Sequence, residues 1–300
     1  MSSQNSFLKN SACFVCNNHH YTVHRAGDHA VARRCQACMA FCPECEGTGY
    51  VFVTRKKGYQ GVKPCERCAN LDRRIRLFNE AQLPARYHDR VLPDFVAYHQ
   101  NDNNLPLGNL PDIKGKLYSY STEFVPGNKG LILSGKVGTG KTHLLVTLLR
   151  YFTLEKGIPC RFIEFTHLLT DLRAAYETHS NATEILNRLS DIDVLAIDEL
   201  GKGRKNDWQL GVIDELISKR YNRCLSTFFT TNYSLQDRPQ LKPKGSGVNV
   251  DDPDFRHSLE METLVDRVGR RIVSRLFEMA DPVEFTNVPD YRQGSAPGGT

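Results

Sequence analysis

Nowhere in this 300-residue chain does an apolar run approach the length of about 20 residues that a membrane span requires. The polar start Met1–Asn10 also lacks the apolar core of a secretory signal peptide. Both absences lead us to expect a cytoplasmic protein with no membrane partner. Charge of one sign is in short supply as well, since 39 Lys/Arg against 34 Asp/Glu leave a formal +5. That balance permits nucleic-acid binding without requiring it. The first 70 residues hold few large apolar side chains, so something besides hydrophobic burial has to support a fold there.

What that segment has instead is cysteine. Eight of the chain's ten cysteines form four C-x-x-C pairs, Cys13/Cys16, Cys35/Cys38, Cys42/Cys45 and Cys65/Cys68. Eighteen residues separate the first two pairs and nineteen the last two, as if one unit were repeated. Both spacings fit a zinc ribbon, in which two knuckles complete a tetrahedral thiolate site. We therefore expect two Zn²⁺ ions, and the spacing leaves open whether the pairs combine in sequence or interleave. A disulfide framework is the competing reading, and a reducing compartment disfavours it. Metal ligation would supply the folding energy that the missing core cannot.

The four histidines His19, His20, His24 and His29 lie in the first loop and are read as loop residues, because cysteines already suffice. Cys42 to Gly49 reads C-x-x-C-x-G-x-G and resembles the zinc modules of DnaJ-type chaperones, with glycines that let backbone N–H groups approach the sulfurs. The chain has no His-Pro-Asp tripeptide, so that likeness stops at the zinc module. Residues 1–80 carry twelve Lys/Arg and six Asp/Glu, but two tetrathiolate zinc sites would each hold about −2. Arg33, Arg34, Arg55, Lys56 and Lys57 offer a local basic patch, while Phe52 and Tyr59 are the few aromatics able to stack on bases. A protein-docking module is favoured over a nucleic-acid patch. Cys160 and Cys224, isolated beside apolar runs, are expected as small core residues.

Leu71 to Ala81 has apolar residues at 71, 75 and 78, the spacing of a linking helix. Pro84, Pro93, Pro106 and Pro111, with the polar run Gln100–Asn104, then interrupt regular structure. Beyond them stands Gly135-Lys136-Val137-Gly138-Thr139-Gly140-Lys141-Thr142, a full G-x-x-x-x-G-K-[ST] phosphate loop, followed by His143. An apolar run, Lys129–Ser134, precedes it and a helix-length apolar stretch, Thr142–Leu154, follows. The glycines let the backbone curl with its N–H groups inward around phosphates. Lys141 would reach the β and γ phosphates of a nucleotide such as ATP, and the Thr142 hydroxyl would hold Mg²⁺.

Strands and helices alternate from Gly130 onward, which predicts an α/β fold with a parallel sheet in three layers. Cys160–Phe165 and Thr227–Thr231 read as strands, Thr166–Glu177, Ala182–Ser190 and Asp207–Tyr221 as helices. Asp193–Leu200 is an apolar strand running into Asp198 and Glu199, the Walker B pattern. There Asp198 would bind Mg²⁺ through water and Glu199 would polarise the attacking water. Asn232, at the end of the Thr227–Thr231 strand, either orients water or simply forms a turn. Leu259–Met279 reads as one long helix with Leu264, Val265, Val268, Ile272, Val273 and Leu276 inward, leaving Arg267, Arg270, Arg271 and Arg275 toward solvent or a partner.

The ordered set L-P-A-R-Y (83–87), G-L-I-L-S-G-K-V-G-T-G-K-T-H-L-L (130–145), I-D-E-L-G (197–201), T-T-N (230–232) and R-R-I-V-S-R-L-F-E-M (270–279) resembles the DnaC/IstB-like clade of AAA+ ATPases over roughly residues 80–292. The resemblance implies that Asn232 is the sensor-1 residue. It also implies that Arg275, assisted by Arg271, is an arginine finger supplied in trans to a neighbouring subunit. The organisation expected is a double zinc ribbon at 1–72, a linker and helical segment at 73–125, the AAA+ core at 126–292 and a tail at 293–300.

The polar segment Ser234–Ser258 is either unstructured or a DNA- or partner-contacting loop, and the short run after the expected strand Val283–Phe285 leaves no room for a helical lid. The function implied is that of DnaC- and DnaI-type loaders: a homo-oligomeric ATP hydrolase that places a replicative helicase on single-stranded DNA. The alternatives are an IstB-like transposition helper, which would polymerise on duplex DNA and recruit a transposase, and an ATP-bound scaffold without turnover.

Overall fold

The computed structural model describes residues 13–38, 42, 44–54, 60–99, 105–178, 182–203, 206–236 and 262–292. The chain divides into two compact units, Met1–Asp89 with Arg150–Pro159, and Arg90–Leu149 with Cys160–Thr300. Arg55–Tyr59, Gln100–Asn104, the polar segment from residue 237 onward and the tail 293–300 lie outside the described residues. Among the described residues no helix is long and apolar enough to cross a membrane.

The first unit is built from two hairpins and a helix. Strand β1 (Tyr21–Ala26) pairs antiparallel with β2 (His29–Arg34), and β3 (Tyr50–Thr54) with β4 (Gln60–Pro64). Helix α1 (Glu66–Glu80) starts at Cys65 and confirms the helical spacing of residues 71, 75 and 78. Ala30 and Ala32 are fully buried, and their small side chains let α1 approach β2. Asn79 closes that contact with two hydrogen bonds to the Ala32 backbone, at 2.8 and 3.2 Å. Arg34 pairs with Asp72 of α1. Tyr21, buried, donates its hydroxyl to Glu155 at 2.6 Å, which ties residues 150–159 into this unit.

The second unit contains a five-stranded parallel sheet of β5 (Gly130–Gly135), β6 (Cys160–Glu164), β7 (Val194–Asp198), β8 (Ser226–Thr231) and β9 (Ala280–Phe285), in the order β6-β7-β8-β5-β9. β7 and β8 are buried at every residue, as expected of parallel strands covered on both faces. The helices are α2 (Leu110–Glu123), α3 (Lys141–Leu154), α4 (Phe165–Glu177), α5 (Ala182–Asp191), α6 (Asp207–Asn222), α7 (Leu264–Val268) and α8 (Arg270–Met279). Ile132, Leu195, Ile197 and Phe229 of the sheet share one core with Leu168, Leu172, Leu216, Ile217 and Leu276. Because the strands are parallel, the segments following β5, β7 and β8 leave the sheet at its carboxyl end. That topology brings the phosphate loop, the acidic pair and Asn232 to the same end.

Three expectations change. The predicted single helix Leu259–Met279, of which the first three residues lie outside the described ones, is two helices from 264 on: Thr263 caps α7 through a capping box with Asp266, and Gly269, at φ 87°, separates α7 from α8. Apolar periodicity runs through the break, so it does not reveal it. Pro111 does not interrupt structure but opens α2, where its missing N–H costs nothing. Cys160 is buried in β6 as expected, whereas Cys224 is exposed in the turn before β8 with φ 53°.

Candidate functional site

The phosphate loop leaves β5 at Gly135 and closes at the start of α3. Gly138 and Gly140 both have positive φ, and a Cβ on either would strike a neighbour, the Asp290 carboxylate or the Phe95 ring respectively. Thr139 is buried and its hydroxyl donates to the Lys136 carbonyl at 2.9 Å, while Val137 is exposed at the tip. Lys141, only 6% exposed, donates from Nζ to the carbonyls of Gly135 and Lys136 at 2.8 and 2.6 Å. Burial pulls its pKa down to about 8, with Arg292 adding to the pull and Asp198 and Glu199 opposing it. A bound anion would replace the carbonyls as its partner.

Thr142, one residue on, donates its hydroxyl to both carboxylate oxygens of Asp198, at 2.9 and 3.1 Å. Asp198 also accepts from the Thr230 hydroxyl at 2.5 Å. Burial raises the Asp198 pKa, the two hydroxyl hydrogen bonds work against that, and the charges of Glu199 and Glu164 add to it. A buried carboxylate touching a hydroxyl at the mouth of a phosphate loop has the donor chemistry of a hard divalent cation site.

Glu199 stands just past β7 in the left-handed region, φ 55°. Its backbone N–H donates to the Thr230 Oγ1 at 2.9 Å, so one threonine holds both acidic residues. The Glu199 carboxylate is paired with Lys202, which also reaches Glu164 at 3.3 Å. Asn232 sits exposed at the exit of β8, two residues beyond Thr230.

Sequence reasoning missed Thr230, whose only outward sign is its place in T-T-N on the strand beside β7. It also missed the ring of contacts around the loop. Phe95 lies edge-on to His143 with ring centroids 5.1 Å apart. Tyr291 donates its N–H to the Gly138 carbonyl at 3.1 Å and its hydroxyl to the Val96 carbonyl at 2.7 Å.

The four arginines expected at solvent or a partner divide differently. Arg270 and Arg271 are exposed. Arg275 is largely covered and donates to Asp214 and to the Ser218 hydroxyl of α6, both at 2.7 Å, with Arg271 3.8 Å from the same Asp214. Arg267 does not face solvent but turns inward onto the backbone that follows Glu199.

In the first unit the eight cysteines gather in sequence order, Cys13, Cys16, Cys35 and Cys38 in one cluster and Cys42, Cys45, Cys65 and Cys68 in another. Sulfur separations of 3.9 and 3.4 Å in the first and 3.7 and 3.6 Å in the second, with all four sulfurs of each within 4.8 Å of one another, lie near the edge of about 3.8 Å for a tetrahedron with Zn–S near 2.3 Å. Each cluster therefore fits one zinc ion. The expected approach of a backbone N–H is also present, from Gly49 to the Cys45 sulfur at 3.3 Å. Both clusters consist of cysteines alone, and His20 instead lies 3.3 Å from the Arg67 guanidinium.

Comparison with known proteins bears on the second unit. The family described as IstB-like ATP binding protein matches residues 109–241. The replicative helicase loader DnaC of Buchnera aphidicola subsp. Baizongia pistaciae is 30% identical over 115 residues, 38% of this chain and 46% of that protein. Its namesake in Escherichia coli K12 is 27% identical over 127 residues, 42% of this chain and 51% of that protein. The chain thus spans about half the length of the curated relatives it matches. A crystal structure of the DnaC helicase loader aligns with a TM-score of 0.51 at 28% identity, covering 67% of this chain and 99% of that one.

Proposed function

On the premise that its second unit carries an ATP-binding domain of the IstB/DnaC family, we propose that this protein is an ATP hydrolase that loads a replicative helicase onto single-stranded DNA. One observation carries the hydrolase reading. Asp198 is held between the hydroxyls of Thr142 and Thr230 at the phosphate loop, with Glu199 beside it on the same threonine. This constellation suits phosphoryl transfer, where positioning and charge neutralisation do most of the work.

The loop amides of residues 138–142 and the Lys141 ammonium bind the phosphates of ATP. Thr142 and Asp198 would hold Mg²⁺, which would neutralise charge on the phosphates. Glu199 orients and polarises the attacking water once it leaves Lys202, and Asn232 helps place it. Arg275, with Arg271, stabilises the transferring phosphoryl group of a neighbouring subunit and exchanges its own Asp214 for that group. A homo-oligomer is the working form. The zinc unit docks the helicase, ATP promotes engagement of the single strand, and hydrolysis drives release.

The test is binding to labelled single-stranded and duplex DNA of equal length, with and without a slowly hydrolysed ATP analogue, and with Lys141→Ala as control. We expect analogue-dependent binding of the single strand, lost in Lys141→Ala. Analogue-dependent coating of the duplex would replace the loader with a transposition helper, and binding to neither would leave a scaffold.

A further inference from the structure

The hydrolase reading requires Glu199, Asn232 and the arginine helix to be set correctly at the same moment. Arg267 touches the segments that follow the first two and stands on the helix just before the third. Its Nε donates to the Gly201 carbonyl at 2.9 Å and its Nη2 donates to the Gly203 carbonyl. These carbonyls lie two and four residues beyond Glu199, so the guanidinium fixes the backbone on both sides of Lys202. The Cζ of the same guanidinium lies over the Tyr233 ring, 5.1 Å from its centroid, and Tyr233 directly follows Asn232. The fit between these parts is close: a Cβ on Gly201 would lie 3.1 Å from the Arg267 Cβ and 3.2 Å from the Tyr233 ring.

Backbone contacts complete the assembly. Leu200 donates its N–H to the Thr230 carbonyl at 2.8 Å, joining the loop after β7 to β8. Leu264, the first residue of α7, donates its N–H to the Ser234 carbonyl at 2.8 Å, and Ser234 and Thr263 form a parallel bridge. Arg267 stands on α7, just before the Gly269 break, and Arg271 and Arg275 follow on α8. The Arg267 side chain thus joins the loop after Glu199 to the residue after Asn232, from the helix that precedes α8.

We propose that Arg267 is a positioning residue for hydrolysis, coupling the placement of Glu199 and Asn232 to that of α7 and α8. It touches no reacting atom. The role needs an arginine, since the fixed fork of a guanidinium donates to two carbonyls at once while its charge lies over an aromatic ring, and a compact ammonium lacks that fork. This inference rests on the hydrolase reading, deepens it by naming what holds the catalytic loop, and explains why Arg267 is turned away from solvent.

The experiment compares steady-state ATP turnover and equilibrium binding of a slowly hydrolysed analogue in the full chain, Arg267→Lys and Tyr233→Leu. Small displacements of catalytic groups cost on the order of 100-fold. We expect Arg267→Lys to lower kcat by about tenfold to 100-fold while analogue affinity stays within about twofold and the unfolding transition stays cooperative. Tyr233→Leu, which removes the platform but leaves both carbonyl contacts, should lower kcat less and likewise spare affinity. A purely structural arginine would instead lose affinity and folding along with turnover, or lose nothing, and either result in both variants overturns the proposal. Failure of the wild-type chain to turn over ATP, alone or with DNA, would sink the hydrolase reading itself and this inference with it. Normal wild-type turnover with unchanged kcat in both variants would sink the inference alone.

Discussion

Arg220 is fully sealed inside the second unit, and its partners among the described contacts are a hydroxyl and backbone carbonyls. It donates to the Thr227 hydroxyl and to the carbonyls of Leu189, Ile192 and Ser226, all at 2.8–2.9 Å. These carbonyls lie near the end of α5, before β7 and at the start of β8, so one guanidinium gathers three segments. Arg220→Met would strand buried acceptors, each worth about 1–3 kcal/mol, and should cost at least about 3 kcal/mol in urea unfolding. A loss below about 1 kcal/mol would mean that the acceptors find water or new donors. Nothing in the sequence distinguishes this arginine from Lys219 beside it, since its role depends on which segments converge around it. The same holds for Thr230 and Arg267. Lys141, Thr142 and the acidic pair were legible because a phosphate loop constrains consecutive residues, and the parallel order of strands did the rest.

Elements were legible where their signals are local and obscure where they are not. The C-x-x-C knuckles and the glycines of the phosphate loop act within a few residues, so their elements appear where expected. Gly269 breaks a helix whose apolar period continues across it, and α2 begins at a proline that reads equally well as an interruption. The cysteine clusters also resolve a question the spacing left open, because hairpins β1–β2 and β3–β4 each bring the flanking knuckles of one half together. Each half should then hold its metal independently. Metal analysis is expected to find two zinc ions per chain, and Cys45→Ser should lower that to one while the first cluster keeps its own. Loss of both ions in that variant would show that the two halves fold as one element. A wild-type content of zero or one would remove the metal basis of the unit, leaving its small apolar content without an account.

At the scale of the whole molecule the open question is what completes the site. The phosphate loop, Asp198, Glu199 and Asn232 stand at one end of the sheet, yet Arg275 donates to its own Asp214 and Ser218. Within a single chain it therefore serves α6, and its use in hydrolysis demands a second copy whose site offers a stronger partner than one carboxylate. Arginine fingers are worth on the order of a thousandfold or more in turnover. Arg275→Ala should thus abolish most turnover while leaving nucleotide affinity intact, and Glu199→Gln should bind ATP without hydrolysing it. Mixing the two separates cis from trans action. An Arg275→Ala chain keeps a complete set of cis groups and lacks only a donor, which a Glu199→Gln neighbour provides. In a head-to-tail assembly mixed at random and in equal amounts, about one quarter of the sites join a competent site to a donating neighbour, so turnover should recover to about that fraction of wild type. Recovery of nothing would place Arg275 on its own subunit's structure alone, and its bond to Asp214 would then be its function rather than its resting place.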